Sequence, residues 1–398
     1  MNLLLVSGYW PSVTNSISGI FVVQQVAAFA RAGARVDVIV PRAIGRGSAA
    51  LSSAQALGLN ESEIRLVEVP VLRLPEQLSS LPGAIQLNTM LWGIMLGRAI
   101  RRLSRTHFFD GCVVHGVRYG GLSLAFWRQE IRGSTAIVVH GVDPLMVVTG
   151  NQRRARSLFC RAGEVSDAVV LVGQPLKAHA EFLGLPANKL QVVPNGTDLP
   201  SICEVSAKQR ARAQVRRVVS VSNLVPLKGV DDNLRALAAI DNHRPDLLWE
   251  YRIVGDGPYR EALEKLAKDL GIESNVKFLG RVAYERTMQE ISESDVFSLP
   301  SWGEAFGIVY LEAMARMRPV IGCFQNGAAD IFSDGVEGRL VPPKDVTALA
   351  AALIQLISDP ALCSEMGQAG RATAETMTWD ANAKQMLNLL GFKDLVTN

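Results

Sequence analysis

Short apolar runs alternate along the whole chain with longer stretches in which apolar residues recur every three or four positions. The runs at 3–6, 36–40, 64–69, 111–114, 136–139, 168–172 and 190–193 read as buried strands, and the periodic stretch 18–32 reads as a helix. A second series begins at 217–221 and continues through 251–254, 276–279, 296–299 and 320–322, with helices predicted over 229–240, 258–270 and 307–316. Strands that alternate with helices and carry consecutive apolar residues belong to mainly parallel sheets covered on both faces. The expected fold class is therefore α/β, in two domains. The polar segment 198–214 carries no apolar period and is the expected crossing between them, and a last helix is expected from Trp379 to about Leu390.

Length agrees with two domains, because 398 residues exceed one ordinary compact core and the 48% hydrophobic content supplies apolar material for both. No uncharged apolar run reaches about 18 residues, so no membrane-spanning helix is expected. The opening Met1-Asn2-Leu3-Leu4-Leu5-Val6 lacks the basic flank and cleavage site of a signal peptide and reads as a first buried strand. Cys112, Cys160, Cys203, Cys323 and Cys363 are widely spaced, with neither a Cys-x-x-Cys pair nor a zinc-type histidine arrangement. They are expected as small buried thiols in a reducing cytosol, and no metal site is expected. Net charge is only +3, but residues 1–199 hold 19 Lys or Arg against 12 Asp or Glu, giving +7 and leaving −4 for the remainder. A weakly basic first half suits anionic lipid or an acidic acceptor. No dense basic stripe interleaved with aromatics occurs, so nucleic acid is not an expected partner.

Candidate chemistry concentrates after the predicted strand at 296–299. Glu304 and Glu312 stand eight residues apart in Pro300-Ser301-Trp302-Gly303-Glu304-Ala305-Phe306-Gly307-Ile308-Val309-Tyr310-Leu311-Glu312, the first in a loop and the second in the helix that follows. That loop lies at the carboxyl end of a strand, where open parallel sheets bind ligands. Two carboxylates there suit a substrate rich in hydroxyls, and the amides near Phe306 and Gly307 suit a phosphate. A nucleotide sugar carries both groups, although solvated acids around a helix start give the same bare spacing. Lys228-Gly229 stands before another predicted helix, where an ammonium and helix amides could share a phosphate; a surface lysine beside a turn has the same appearance. Gly19 opens the first helix after Ser16-Ile17-Ser18, a place for close ligand approach or simply a tight loop. His115 and His140 each follow an apolar strand without a third metal ligand at short spacing, which also fits structural histidines. Gly255-Asp256-Gly257-Pro258 is not the three-glycine dinucleotide fingerprint, so an NAD enzyme is a poor reading.

The segment from Pro300 to Met314 closely resembles the signature of the large retaining nucleotide-sugar glycosyltransferases of family 4, whose GT-B architecture places two Rossmann-like domains across an interdomain cleft. Its Pro-Ser, Glu-x-Phe-Gly and Glu-Ala-Met-Ala elements are all present, and the likeness continues through Pro319-Val320-Ile321 and Gly335-Val336-Glu337-Gly338. The resemblance implies an acceptor-side domain over 1–198, a nucleotide-sugar domain over 199–375, and a final segment 376–398 returning to the first domain. It implies that Glu304 contacts donor-sugar hydroxyls, that Glu312 binds the ribose hydroxyls, and that the Phe306 and Gly307 amides face the diphosphate. By the same resemblance Lys228 stabilises the departing diphosphate and His140 orients the reacting sugar, with His115 in a lesser role lining the cleft. Gly19 corresponds to a loop closing on the diphosphate, and Gly255 to an element shaping the wall beside the nucleotide. Asn223 stands where relatives carry an arginine for the diphosphate, so charge is missing there unless Arg252 or another basic residue supplies it. Asn195-Gly196-Thr197-Asp198 resembles the family's hinge segment, and Asn326-Gly327 stands where relatives approach donor hydroxyls or phosphate.

The implied reaction moves a hexose-type sugar from a UDP- or GDP-sugar, used as substrate with no cofactor and no metal, to a hydroxyl of a glycan or lipid-linked acceptor with retained configuration. Cell-surface polysaccharide or glycolipid synthesis, in the cytoplasm or peripherally on the inner face of the cell membrane, is the implied setting. The stretch 82–105 adds a surface argument. As a helix it carries one apolar stripe of Trp92, Leu96, Ala99 and Leu103, and a second face that passes from Leu87, Leu91, Ile94 and Met95 to Arg98, Arg101, Arg102 and Arg105. That second face fits an anionic membrane surface, and equally a buried helix ending at a solvated cleft. A nonhydrolysing sugar-nucleotide epimerase, or a catalytically silent carbohydrate-binding protein, are the alternatives; acceptor-free epimerisation or binding without turnover would distinguish them.

Overall fold

The computed structural model describes residues 1–12, 15, 17–44, 63–72, 83–141, 152–182, 184–201 and 215–392. The chain forms two compact units, one of Met1–Asn195 with Trp379–Asn398, the other of Gly196–Thr378. Most of the polar segment expected as the crossing, from 202 to 214, lies outside the described residues.

The first unit holds seven parallel strands: β1 (Asn2–Ser7), β2 (Arg35–Ala43), β3 (Ile64–Val71), β4 (Phe109–His115), β5 (Ile131–Val139), β6 (Ala168–Leu171) and β7 (Leu190–Val192), in spatial order β3-β2-β1-β4-β5-β6-β7. Leu3, Leu4 and Leu5 are all fully buried, which explains the unbroken apolar run: β1 is central and covered on both faces. Strand order reverses direction between β1 and β4, and the register there sets Ser7 opposite His115. The helix Trp379–Leu389 packs on the helix Ile20–Arg31 in this unit. Trp379 Nε1 donates to Gln24 Oε1 at 3.0 Å, Gln25 Nε2 to Asn382 Oδ1 at 2.6 Å, and Asn382 Nδ2 to the Pro194 carbonyl at 2.7 Å. These bonds meet most of the polar atoms buried in the contact, while Gln25 Oε1 is buried without a hydrogen-bond partner among the described residues.

The second unit holds β8 (Arg216–Val221), β9 (Trp249–Val254), β10 (Val276–Gly280), β11 (Val296–Ser298), β12 (Val320–Cys323) and β13 (Gly338–Val341), all parallel, in order β10-β9-β8-β11-β12-β13. Here the order reverses between β8 and β11. A buried polar knot fixes that junction: Asn233 Nδ2 donates to Tyr251 Oη at 3.0 Å and to the Ser298 carbonyl at 3.1 Å, while Ser298 Oγ donates to Asn233 Oδ1 at 2.7 Å. Asn233 Nδ2 also lies 3.2 Å from Ser220 Oγ on β8, so the helix Val230–His243 is tied to both strands of the switch, around a core that includes Val218, Leu234, Leu237, Ile253, Ile321 and Leu353. Among the described residues no single helix is long and apolar enough to cross a membrane.

Candidate active site

In both units the candidate residues gather at the carboxyl ends of the strands at and next to the order reversal, the region where open parallel sheets bind ligands. In the second unit the loop after β8 carries Lys228 and the loop after β11 carries Glu304. Their side chains meet, Lys228 Nζ lying 2.6 Å from Glu304 Oε2, with both groups largely buried. The approach depends on Gly229, whose φ of 65° and position leave no room for a side chain: a Cβ would stand 2.3 Å from the Pro300 carbonyl oxygen. Trp302 N–H and Ser301 Oγ both donate to the Leu227 carbonyl, at 3.0 and 3.1 Å, which locks the two loops together.

A third turn clamps the Glu304 loop from the other side. Asn326 Nδ2 donates to the Ser301 carbonyl, Asn326 Oδ1 accepts from the Ala328 N–H at 3.0 Å, and Gly327 N–H donates to the Glu304 carbonyl at 3.0 Å. One N–H and one lone pair of the Asn326 amide are thus engaged within the protein, so this side chain builds the loop. Phe306 is buried, and Gly307 starts the helix Ile308–Met314, which has no side-chain cap. Glu312 lies on that helix, only 5% exposed, and accepts a hydrogen bond from Tyr284 Oη at 2.9 Å. Burial raises its pKa; the Tyr284 hydroxyl and the Arg316 charge oppose that rise, and Asp198 adds to it.

Asn223 is exposed in the loop after β8. The suggestion that Arg252 restores the missing charge is overturned by its partners. Arg252 contacts Glu250 and Glu290 at 2.6 Å each, inside a network that also joins Arg217 to Glu250 and Glu293. A guanidinium held by two carboxylates on the sheet is not free to follow a phosphate. Gly255 lies against the loop after β8, where a Cβ would fall 1.8 Å from the Ser222 carbonyl oxygen.

In the first unit Gly19 caps the helix Ile20–Arg31 and packs on the Tyr9–Trp10 backbone, a Cβ there falling 2.4 Å from the Tyr9 carbonyl carbon. His115 ends β4 and His140 follows β5; His115 Nδ1 and His140 Nε2 are 2.7 Å apart. The Phe21 and Tyr9 rings stand 4.7 and 5.7 Å from the His140 ring. Burial pushes His140 down to about 3, and burial together with His140 holds His115 well below the usual imidazole range, so both rings are neutral near pH 7. His115 is 3% exposed, which corrects its expected place as a lining residue: it stands behind His140. Among the described residues no three His, Cys, Asp or Glu side chains come together as a metal site.

Chemically, the second unit offers an ammonium, a carboxylate with one partner of opposite charge, and a buried carboxylate with a hydroxyl partner. The first offers neutral imidazoles among aromatic rings. Sequence reasoning missed Tyr284 and the clamping role of Asn326. Neither carries a local signal, since both act through residues distant in the chain.

Residues 203–373 match the family of glycosyl transferases group 1, and residues 18–196 match the glycosyl transferase 4-like domain. A GDP-mannose-dependent alpha-(1-6)-phosphatidylinositol monomannoside mannosyltransferase of Mycolicibacterium smegmatis is 32% identical over 253 residues, spanning 59% of this chain and 65% of that protein, just under two thirds of its length. Among solved structures, sucrose-phosphate synthase from Thermosynechococcus elongatus has a TM-score of 0.76 at 21% identity and covers 98% of each chain. Anabaena HepE in complex with UDP and glucose has a TM-score of 0.73 at 19% identity, covering 98% of this chain and 99% of that one. At these identities the two structures share the fold. With both domain families matched in chain order on two parallel-sheet α/β units, the chain belongs to glycosyltransferase family 4, of GT-B architecture.

Proposed function

We propose that this protein transfers a hexose-type sugar from a UDP- or GDP-sugar to a hydroxyl of a glycan or lipid-linked acceptor, with the anomeric configuration retained. The Lys228–Glu304 contact carries the reading: it sets a cation suited to a diphosphate beside a carboxylate suited to sugar hydroxyls, from positions 76 residues apart. In this account Glu304 positions the sugar, and Glu312 takes the ribose diol through the acceptor capacity that Tyr284 leaves open. Lys228, with the amides at Phe306 and Gly307, stabilises the departing diphosphate. His140, Gly19, Asn223 and Gly255 belong to the surrounding donor and acceptor surfaces, with the second unit taking the nucleotide sugar and the first the acceptor. The GDP-mannose dependence of the mycobacterial relative and the UDP bound to Anabaena HepE support those two nucleotides as the first to test. Incubation with UDP- and GDP-hexoses and a panel of glycan and lipid-linked acceptors should give acceptor-dependent release of the nucleoside diphosphate. Release without acceptor modification, or epimer formation alone, would defeat the reading.

A lipid-linked acceptor fits the exposed face of the helix Ala84–Leu103. The buried face holds Trp92, Leu96, Ile100 and Leu103; Ile100 replaces the half-buried Ala99 of the expected stripe. Opposite it Leu87, Met90 and Ile94 remain 40–41% exposed, followed by exposed Arg98, Arg101, Arg102 and Arg105. Leucine and methionine tips with arginines one and two turns farther on suit the peripheral inner face of a cell membrane, with the arginines at anionic headgroups.

A further inference from the structure

The two imidazoles of the first unit form a hydrogen-bonded pair of defined geometry. Their ring planes are 6° from parallel and their centroids 5.0 Å apart, while the facing nitrogens are 2.7 Å apart. A centroid separation equal to the N···N distance plus one ring radius on each side describes an in-line, edge-to-edge hydrogen bond, not face-to-face stacking. The strands bring the two rings within reach: β4 and β5 are neighbours with His115 opposite Val138, and His140 stands two residues beyond Val138, diagonal to His115. Gly116 N–H donates to the Val138 carbonyl at 2.9 Å and continues the ladder past the histidine.

The other nitrogen of His115, Nε2, is buried and has no hydrogen-bond partner among the described residues. A neutral imidazole carries one N–H and one bare nitrogen. Orphaned buried N–H groups are the rarer case in proteins, because an unmet donor forfeits a full hydrogen bond, so the bare nitrogen of His115 is Nε2. Its proton is then on Nδ1 and is donated to His140 Nε2. His140, also neutral, must accept there and carry its own proton on Nδ1. We propose that His115 is a positioning residue that locks His140 into its Nδ1-protonated tautomer, so that His140 meets an oxygen of the substrate held by the first unit as a hydrogen-bond donor and not as a base. The functional half of this statement rests on the proposed glycosyltransferase reading; the tautomer itself does not. No proton is transferred in the step, and the ring is neutral before and after it.

The full-length protein, labelled with ¹⁵N in its histidine rings, tests the lock directly at neutral pH. Both His115 and His140 should show protonated Nδ1 and bare Nε2, with a scalar coupling across the N–H···N bond, before any substrate is added. A protonated Nε2 on His140 would overturn the proposal whatever the enzyme's activity. His115→Asn keeps an N–H donor near the position of Nδ1 and should preserve the His140 tautomer, whereas His115→Phe removes the donor and should release it. On a donor and acceptor pair turned over by the wild type, His115→Phe should lower kcat by roughly ten- to hundredfold, the scale for losing the outer partner of a working imidazole, with little change in donor KM. His115→Asn should stay near wild type. Unchanged kcat in a folded His115→Phe protein whose His140 tautomer has been released would overturn the donor role while leaving the parts assigned to Lys228 and Glu304 standing.

Discussion

The two strand-order reversals of this chain are built from opposite materials. At the one between β8 and β11, charge is concentrated: Lys228 on Glu304, with the buried Glu312 on the following helix. Beside the one between β1 and β4 the candidate side chains described are neutral, two imidazoles at the ends of β4 and β5 whose pKa values are pushed down by burial, set among Tyr9 and Phe21. A diphosphate leaving group develops charge, and preorganised cations and dipoles stabilise it; a sugar has only hydroxyls, which neutral donors and aromatic faces accommodate. The division of labour proposed here follows from that contrast, and each experiment below attacks one side of it.

The largest effect is expected at the charged reversal. Lys228→Ala should cost about 2–4 kcal/mol of transition-state stabilisation, the scale of a directed contact to a departing oxyanion. It is read as kcat/KM on the active donor and acceptor, with thermal unfolding as the control for the Glu304 carboxylate left without its cation. Comparable rates would remove Lys228 from the reaction. Glu312→Gln should weaken donor binding by about 1.5–3 kcal/mol, as for a lost hydrogen bond to a charged group. Calorimetric titration of the nucleotide sugar measures it. Because burial raises the Glu312 pKa, wild-type affinity should be full above that pKa and fall as acid protonates the carboxylate, at a higher pH than for an ordinary glutamate. The Gln variant should lack this acid limb.

The first unit also carries a group of exposed cations at the end of the helix Ala84–Leu103. Replacing Arg98 and Arg102 with glutamine should weaken binding to anionic vesicles by about 1 kcal/mol for each residue at a charged surface, measured by flotation at low and near-physiological salt. Wild-type protein that stays unbound at both salt concentrations would end the membrane proposal. The smallest effect concerns stability. Asp232, buried beside Asp231 on the helix after Lys228, has its pKa raised to about 6, mainly by burial and then by that neighbour, with Arg235 and Lys344 opposing. The unfolded chain releases this proton first, so the stability cost is absent below about pH 4, grows up to about 6 and remains above it. Asp232→Asn should therefore stabilise the protein by about 1–2 kcal/mol at pH 7.5 and by little at pH 4 in denaturant unfolding.

The strands were legible because central parallel strands are apolar at every position: Leu3, Leu4 and Leu5 announce themselves, as do Val296 and Phe297. The short strand Gly338–Val341 was not, since its glycine and arginine break the apolar run, and helices such as Tyr284–Ser292 and Pro360–Thr376 passed unnoticed beside louder motifs. Lys228, Glu304 and Glu312 were visible through local segment context. Their partners were not, because Tyr284 lies 28 residues from Glu312 and Asn326 lies 25 from Ser301, and chain spacing says nothing about contacts made across a sheet. Arg252 taught the converse: a basic residue near the motif was already neutralised by Glu250 and Glu290.

The central claim is that the charged reversal of the second unit grips a nucleotide sugar, and ligand-observed saturation-transfer magnetic resonance tests it most directly. Wild-type protein and Glu312→Gln would be screened side by side against UDP-, GDP- and ADP-hexoses. The account predicts that one nucleotide series saturates on the wild type at both base and sugar protons, and that the signal collapses in the folded variant. Saturation by none of these donors, or equal saturation of both proteins, would contradict it.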